Sequence, residues 1–192
     1  VSWPFPKFFN HGEGHAAPID LTTAKAQEKI DGSCCTVYLW AGEWRVQTLG
    51  MMDAEGPLNR DGAMFADLFW SLFPRARTMY LTPGACYTFE LATRHNRVVT
   101  RYEADRVVLL SVRSLETLRE ASGIDYLAAL LGVERPREYA IASLDDAVRM
   151  SRELPELQEG YVVVDAAFRR VKVKNPAYLA VAHLKDSAPA SV

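Results

Sequence analysis

The sequence has no apolar run that approaches the roughly 20 residues a membrane-spanning helix needs, and no recognisable signal peptide. We therefore expect no membrane partner. Cysteine is also scarce, with three in 192 residues. Cys34 and Cys35 are adjacent and Cys86 stands apart, so they form neither a metal-ligand spacing nor an even disulfide set. This pattern indicates small core residues in a reducing compartment, and we predict a cytoplasmic protein.

An excess of positive charge is missing as well. The chain carries 22 Lys and Arg against 24 Asp and Glu, a formal net charge of −2 at pH 7. That balance excludes a domain that holds nucleic acid by bulk positive charge alone. The basic residues are clustered near 75–77, 94–106 and 169–174. The cluster at 94–106 fits RNA phosphates and a solvated basic loop equally well.

The sequence begins with Val1 rather than Met, and the next residues read like the middle of a domain, so we expect a truncated N-terminus. About half of the residues are apolar (49%), which suffices for a substantial core at this length. We predict a single domain over 1–185 and a disordered tail over 186–192.

The hydrophobic pattern switches between a strand period and a helix period. Strand-like runs are at 34–40, 44–49, 85–91, 107–112, 161–165 and 168–174. Helical spacing or capping signals are at 59–73, 114–123, 125–131 and 143–154. Antiparallel strand pairs with helices inserted between them predict an α+β domain.

Charged and polar residues interrupt the strand pattern in four short segments. These segments are 28–33, 88–92, 159–164 and 171–174. In the last of them, alternation forces Lys172 and Lys174 onto one face while Val171 and Val173 enter the core. Two neighbouring lysines repel each other by about 0.2–1 kcal/mol, and anionic ligand groups would relieve that cost.

A third lysine near such a pair would have its pKa lowered by the same positive field, and a partly deprotonated lysine is a nucleophile. Lys29 is the candidate, since it is followed by Asp31 and by Gly32, which permits close backbone approach. Glu90 and Glu159 would hold a divalent metal, ribose hydroxyls, or both. Together these residues describe a site that attacks a nucleotide phosphate.

Four motifs occur in a fixed order: K-x-D-G-S at 29–33, F-E at 89–90, E-G-Y-V at 159–162 and V-K-V-K at 171–174. They resemble motifs I, III, IV and V of the covalent nucleotidyltransferases, the superfamily of polynucleotide ligases and mRNA-capping enzymes. P-K-F-F-N at 6–10 and N-R-V-V at 96–99 resemble the phage-type tRNA-repair branch of the RNA ligases. The resemblance implies an ATP-grasp-like ligase domain, in which antiparallel sheets with flanking helices enclose a nucleotide cleft.

The resemblance also implies catalytic roles for three lysines and a metal role for two carboxylates. Lys29 matches the lysine that forms the phosphoramide with AMP. Lys172 and Lys174 match the lysines that contact the α-phosphate and assist the leaving pyrophosphate. Glu159 matches the glutamate that helps to bind the catalytic Mg²⁺ or Mn²⁺, and Glu90 matches the motif III glutamate, which we predict to serve both metal and nucleotide.

Further nucleotide contacts follow from the same resemblance. Lys7 matches an upstream lysine that reaches the ATP triphosphate. Glu28 and Ile30 flank Lys29 and would border adenine. Two departures stand out: residues 48–51 lack the basic residue followed by Gly-Ser that the family has there, so they receive no role, and an upstream arginine that binds ATP phosphates is not in the chain.

The sequence therefore predicts the adenylyltransferase domain of an ATP-dependent RNA ligase. The partner would be RNA with 5′-phosphate and 3′-OH ends, with nicked tRNA as one candidate, and we expect end-healing or RNA-binding domains outside this chain. The alternatives are a DNA ligase, a capping-type nucleotidyltransferase and a non-catalytic nucleotide- or RNA-binding module. Taken alone, each motif is weak, since paired lysines on a strand are also typical of a solvated edge.

Overall fold

The structure is a computed structural model that describes residues 2–56, 64–96, 98–155 and 157–187. Its strands in chain order are β1 (Phe9–Asn10), β2 (Lys25–Glu28), β3 (Ser33–Trp40), β4 (Glu43–Thr48), β5 (Ala85–Ala92), β6 (Arg106–Ser114), β7 (Glu138–Ala140), β8 (Gly160–Val164) and β9 (Arg170–Lys174). Its α-helices are α1 (Phe65–Leu72), α2 (Asp125–Leu131), α3 (Leu144–Arg152) and α4 (Pro176–Ser187). A 3₁₀ helix covers Arg75–Tyr80. This mixture confirms the predicted α+β class.

The chain divides into two compact units, and each is built from separate stretches of sequence. The first unit comprises Val1–Pro6, Gly32–Arg97 and Tyr102–Arg135. The second comprises Lys7–Asp31, Val98–Arg101 and Pro136–Val192. Motif I is divided by this boundary, since Lys29 belongs to the second unit and Gly32 to the first.

In the first unit, the described strands form an antiparallel sheet in the order β4-β3-β5-β6. Its buried face carries Phe89, and helix α1 packs Phe69 and Phe73 against it, with ring centroids 5.7 Å and 5.2 Å from that of Phe89. All three rings are fully buried. Such aromatic pairs contribute about 0.5–1.5 kcal/mol beyond the area they bury, so this cluster anchors the helix to the sheet.

In the second unit, the described strands form a sheet in the order β1-β9-β8-β2-β7, in which β1 is parallel to β9 and the other pairs are antiparallel. Ala26, Val163 and Val171 form its core together with Ala147 of α3. The turn between β8 and β9 closes on Asp165, a buried carboxylate that accepts the N–H groups of residues 167 and 169 at 3.0 Å. The predicted hairpin at this place is confirmed.

The helix predicted over 114–123 is wrong. The Ser114 hydroxyl does accept the N–H groups of Glu116 and Thr117, as an N-cap would. The chain then turns back instead of propagating a helix: Leu118 has φ 57°, and the Ser114 N–H donates to the Arg119 carbonyl at 3.0 Å. A serine cap satisfies a tight turn as well as a helix start, so the local signal was ambiguous.

Other element boundaries were partly predicted. Helix α1 lies inside the predicted span 59–73, of which 59–63 are outside the described residues. Helix α3 follows Ser143, whose hydroxyl accepts the Asp146 N–H at 3.0 Å, as the capping signal predicted. Helix α4 and the short strands β1 and β7 were not predicted. Helix α4 continues to Ser187, two residues into the predicted tail, and 188–192 are outside the described residues. None of the described helices is long and apolar enough to cross a membrane.

Candidate active site

The K-x-D-G-S segment begins where strand β2 ends. The backbone N–H of Lys29 donates to the carbonyl of Gly160 at 2.9 Å, which continues the pairing of Glu28 with Tyr161 by one residue. Ile30 is buried, at 5% exposure, and Glu28 is half-buried. These contacts fix the Lys29 backbone beside the start of β8, where motif IV lies.

A carboxylate joins two of the predicted lysines. Glu159 Oε2 accepts a hydrogen bond from the Lys29 ammonium at 2.8 Å, and Glu159 Oε1 forms an ion pair with the Lys174 ammonium at 3.3 Å. The Glu159 side chain is 7% exposed, against 20% for Lys29 and 29% for Lys174. A buried carboxylate needs such partners, and charge-assisted hydrogen bonds of this kind are the stronger ones in proteins. Motifs I, IV and V therefore meet in the second unit.

Lys172 lies beside this group on the same face of β9. Val171 and Val173 are buried while Lys172 and Lys174 are half-buried, so the predicted alternation is confirmed. The Lys172 ammonium lies 5.0 Å from the centre of the Phe8 ring. Burial lowers the pKa of Lys172, and the charges of Lys29 and Lys174 lower it further, against the opposing effect of Glu159 and Glu13.

A glycine is required at the start of β8. Gly160 has φ +133°, and a Cβ at this position would lie 2.2 Å from the carbonyl oxygen of Val173 and 2.9 Å from Cα of Lys174. Strands β8 and β9 thus approach each other at this end more closely than any side chain allows. The close approach brings the Glu159 and Lys174 backbones together, which explains the glycine in E-G-Y-V.

Asp31 is a buried acceptor within the second unit. It is 4% exposed and accepts the N–H groups of Val99 at 2.8 Å and Thr100 at 2.6 Å, and the hydroxyl of Tyr178 at 2.8 Å. These three donors satisfy the hydrogen-bonding capacity of a carboxylate that has little access to water. Asp31, two residues after Lys29, therefore connects motif I by hydrogen bonds to the segment Val98–Arg101 and to helix α4. No local sequence pattern indicated this role.

Glu90 lies in the first unit, on β5, between Cys34 of β3 and Val108 of β6. Phe89 and Leu91 are buried and Glu90 is half-buried, as alternation predicted. A Cβ on Gly32 would lie 2.3 Å from the carbonyl oxygen of Leu91 and 3.2 Å from Cγ of Glu90. The motif I glycine is therefore packed against the motif III strand.

Asn96 adds hydrogen bonds where the start of β3 lies beside the end of β5 in the first unit. Its amide nitrogen donates to the Ser33 hydroxyl at 2.9 Å and to the Leu91 carbonyl at 2.7 Å. Its oxygen accepts the N–H and hydroxyl groups of Thr93 at 3.0 Å and 2.6 Å. The asparagine of N-R-V-V thus links the start of β3 to the end of β5.

Lys7 precedes β1, the strand that pairs with β9 through Asn10 and Lys172. Its ammonium lies 5.2 Å from the centre of the Phe9 ring. Hydrogen bonds from Asn10 lower the pKa of Glu13, and the positive charges of Lys172 and Lys7 contribute to the same effect. Lys7 and Lys172 therefore act on a common carboxylate in the second unit.

The residues of the predicted metal site suit a divalent cation that takes part of its ligands from a bound substrate. No group of three or more His, Cys, Asp or Glu side chains suited to a metal occurs in the part of the chain that the structure describes. Mg²⁺ and Mn²⁺ sites of phosphoryl-transfer proteins, however, use one or two carboxylates together with substrate phosphates and water. The buried Glu159 carboxylate, flanked by lysines that attract phosphate, matches that donor set.

Two curated proteins are similar in sequence to this chain along almost its whole length. An RNA ligase of Rhodothermus phage RM378 is 26% identical over 97% of this chain and 57% of its own length. A putative bifunctional polynucleotide kinase/RNA ligase of the Autographa californica nuclear polyhedrosis virus is 31% identical over 93% of this chain and 28% of its own length. The chain thus spans about half of the phage relative and less of the viral one. No protein-family model matches the chain.

Solved RNA ligases have the same fold. A variant of the Naegleria gruberi RNA ligase, solved with ATP and Mn, superposes with a TM-score of 0.65 at 15% identity and covers 84% of this chain and 52% of that one. An archaeal ATP-dependent RNA ligase superposes with a TM-score of 0.66 at 17% identity and covers 95% and 50%. The chain is therefore similar in sequence to RNA ligases, and it has the fold of the ATP-dependent RNA ligases over the part of them that it covers.

Proposed function

We propose that the chain is the adenylyltransferase domain of an ATP-dependent RNA ligase and that Lys29 becomes covalently linked to AMP. One observation carries the proposal: the Lys29 amine, the Glu159 carboxylate and the Lys174 amine form a single ion-paired group. Lys172 lies on the same face. The RNA ligases that resemble the chain support the choice of reaction.

In the proposed first step, the Lys29 nitrogen attacks the α-phosphorus of ATP. A P–N bond forms, the bond from the α-phosphorus to the bridging oxygen breaks, and pyrophosphate leaves with that electron pair. Lys172 and Lys174 would neutralise the charge that develops on the phosphate oxygens, the main contribution a protein makes to phosphoryl transfer. Lys7 would contact the triphosphate, and Glu28, Ile30 and Glu90 would border the nucleoside.

Lys29 must be uncharged to attack, and Glu159 bears directly on that requirement. The Lys29 amine is paired with Glu159 at 2.8 Å, and it must release a proton before its lone pair can attack phosphorus. Glu159 is also the group placed to hold the proton that leaves the amine. A divalent cation bound by Glu159 would neutralise phosphate charge and compete with the ammonium for the carboxylate.

In the following steps, AMP would pass from Lys29 to the 5′-phosphate of a broken RNA, and a 3′-hydroxyl would displace it to seal the strand. A nicked tRNA in the cytoplasm is the substrate we expect, on the resemblance to the tRNA-repair branch. The name of the viral relative joins a polynucleotide kinase to an RNA ligase, which supports end-healing domains as companions of this one.

The test is transfer of radiolabel from [α-³²P]ATP to the protein in the presence of Mg²⁺ or Mn²⁺. Wild-type protein and the Lys25→Ala variant should acquire label, and Lys29→Ala should not. Lys25 is a matched control because it lies on β2, the strand that ends just before Lys29, with its side chain 60% exposed and paired with Glu138. Equal label on Lys29→Ala would rule out this nucleophile.

Further arms of the same experiment separate the alternatives. Labelling from GTP in preference to ATP would indicate a capping-type enzyme, and sealing of nicked DNA in preference to nicked RNA would indicate a DNA ligase. Binding of ATP without release of pyrophosphate would indicate a non-catalytic module. The proposal requires ATP, pyrophosphate release and RNA.

A further inference from the structure

Asn175 follows Lys174 directly and is 1% exposed, a degree of burial that asparagine tolerates only when its amide is hydrogen-bonded. Its Nδ2 donates to the carbonyl oxygens of Pro155 at 3.0 Å and Gln158 at 3.1 Å, and lies 3.4 Å from that of Leu154. These carbonyls belong to the segment between α3 and β8. One buried amide thus supplies donors to the chain that leads into Glu159.

The other polar atoms of Asn175 hold two further elements. Its Oδ1 accepts the Ala177 N–H at 3.0 Å, which makes Asn175 the N-cap of α4 with Pro176 at the first helical position. Its backbone N–H donates to the Glu159 carbonyl at 2.9 Å. Asn175 therefore joins the end of β9, the start of α4 and the residue that carries the motif IV carboxylate.

These contacts determine where the Glu159 carboxylate lies. Glu159 is bracketed by Gln158, held by the Asn175 side chain, and by Gly160, whose carbonyl accepts the Lys29 N–H. A shift of the segment would move the carboxylate relative to both lysines it contacts. We infer that Asn175 is a positioning residue that fixes Glu159 between Lys29 and Lys174 and, if Glu159 receives a divalent cation as proposed above, sets the geometry of that site.

The sharpest variant is Asn175→Asp. Aspartate has the same shape and keeps the oxygen that caps α4, but it replaces the donor NH₂ with an oxygen that faces three carbonyls. Ser143→Ala is the matched control, because it removes the N-cap of α3 in the same unit and leaves the Asn175 contacts intact. The comparison separates the loss of a helix cap from the loss of the donors that hold Glu159.

The first readout is the Mn²⁺ dependence of labelling from ATP, normalised to folded protein. Loss of a group that orients a metal ligand typically costs 10–100-fold in metal affinity, so Asn175→Asp should need at least about tenfold more Mn²⁺ for half-maximal labelling. Ser143→Ala should keep the wild-type Mn²⁺ curve. If the two variants lose label in the same proportion at every Mn²⁺ concentration, Asn175 is merely structural and the inference is overturned.

The second readout does not depend on activity. Hydrogen–deuterium exchange at the Lys29 and Asn175 amides, which donate to Gly160 and Glu159, should be faster in Asn175→Asp than in wild type, while β3 and β5 exchange as before. Unchanged exchange at both amides would contradict the inference. If wild-type protein takes up no AMP, the proposed function fails, and the exchange measurement alone decides the role of Asn175.

Discussion

At the scale of single residues, three lysines and one glutamate concentrate charge on a small area of the second unit. Glu159 offsets two of the cations by direct contact. The pKa of Lys172 is lowered by burial first and then by repulsion from Lys29 and Lys174. A protein without an anionic ligand for this face would gain stability by losing one lysine. Clustered charges that lower the stability of a protein are typical of functional sites.

Replacement of Lys172 by Met tests that cost. Met keeps the apolar stem on Phe8 and exchanges an ammonium–ring contact for a thioether–ring contact of similar strength, while it removes one of three clustered cations. The free energy of unfolding at pH 7 should rise by up to about 1 kcal/mol, after allowance for solvent screening. Urea unfolding of both proteins gives the difference.

The pH dependence of this gain has a definite sign. The folded state binds the Lys172 proton less tightly than the unfolded state does, so the contribution of Lys172 to stability increases with pH between its lowered pKa and its ordinary one, and is lost as pH falls through the lowered value. The advantage of Lys172→Met should therefore be largest near neutral pH and shrink in alkaline solution. Lys25→Met, at an exposed ion pair, should show no such gain; a loss of stability in Lys172→Met at neutral pH would contradict the account.

At the scale of elements, the strand pair β8–β9 depends on the glycine of E-G-Y-V. Gly160→Ala combines a positive φ with a Cβ that would lie 2.2 Å from a carbonyl oxygen, and should lower the free energy of unfolding by about 3 kcal/mol. Gly42→Ala is the control, since Gly42 has φ +81° with nothing within 4 Å; we expect a loss of about 1 kcal/mol there. Equal shifts in the urea midpoint would mean that the close approach of β9 is unimportant.

The same elements show which parts of the fold the sequence could predict. Alternation in V-K-V-K predicts one lysine-bearing face because the strand period is a local property. The predicted strand run 168–174 ends just before Asn175 and Pro176. Asparagine before proline is also typical of a helix start, but no helix was predicted there, and so α4 was missed. Ser114 shows the opposite error, in which a turn was taken for a helix.

In the candidate site as well, some features could be predicted from the sequence and others could not. Lys29, Glu159, Lys172 and Lys174 could be named from the sequence through their resemblance to known motifs. The partners of Asp31 could not, since Val99 and Tyr178 contact it across 68 and 147 residues. Such contacts depend on tertiary packing, which no periodicity records.

At the scale of the whole molecule, the chain divides into two compact units, and the single domain over 1–185 stays a prediction. Each has its own buried cluster, centred on aromatic rings in the first and on small and β-branched residues in the second. The chain passes between the units at Asp31 and Gly32, within motif I, so a contiguous sequence motif serves both. A pattern of strands and helices cannot show this division, because each unit is assembled from distant segments.

The intact mass of the protein after incubation with ATP and Mg²⁺ tests the central claim most directly, with peptide mapping to locate any adduct. The account predicts the addition of one AMP, carried by Lys29 in the wild type and in Lys25→Ala and absent from Lys29→Ala. An unchanged mass in the wild type, or an adduct mapped to another residue, would contradict it.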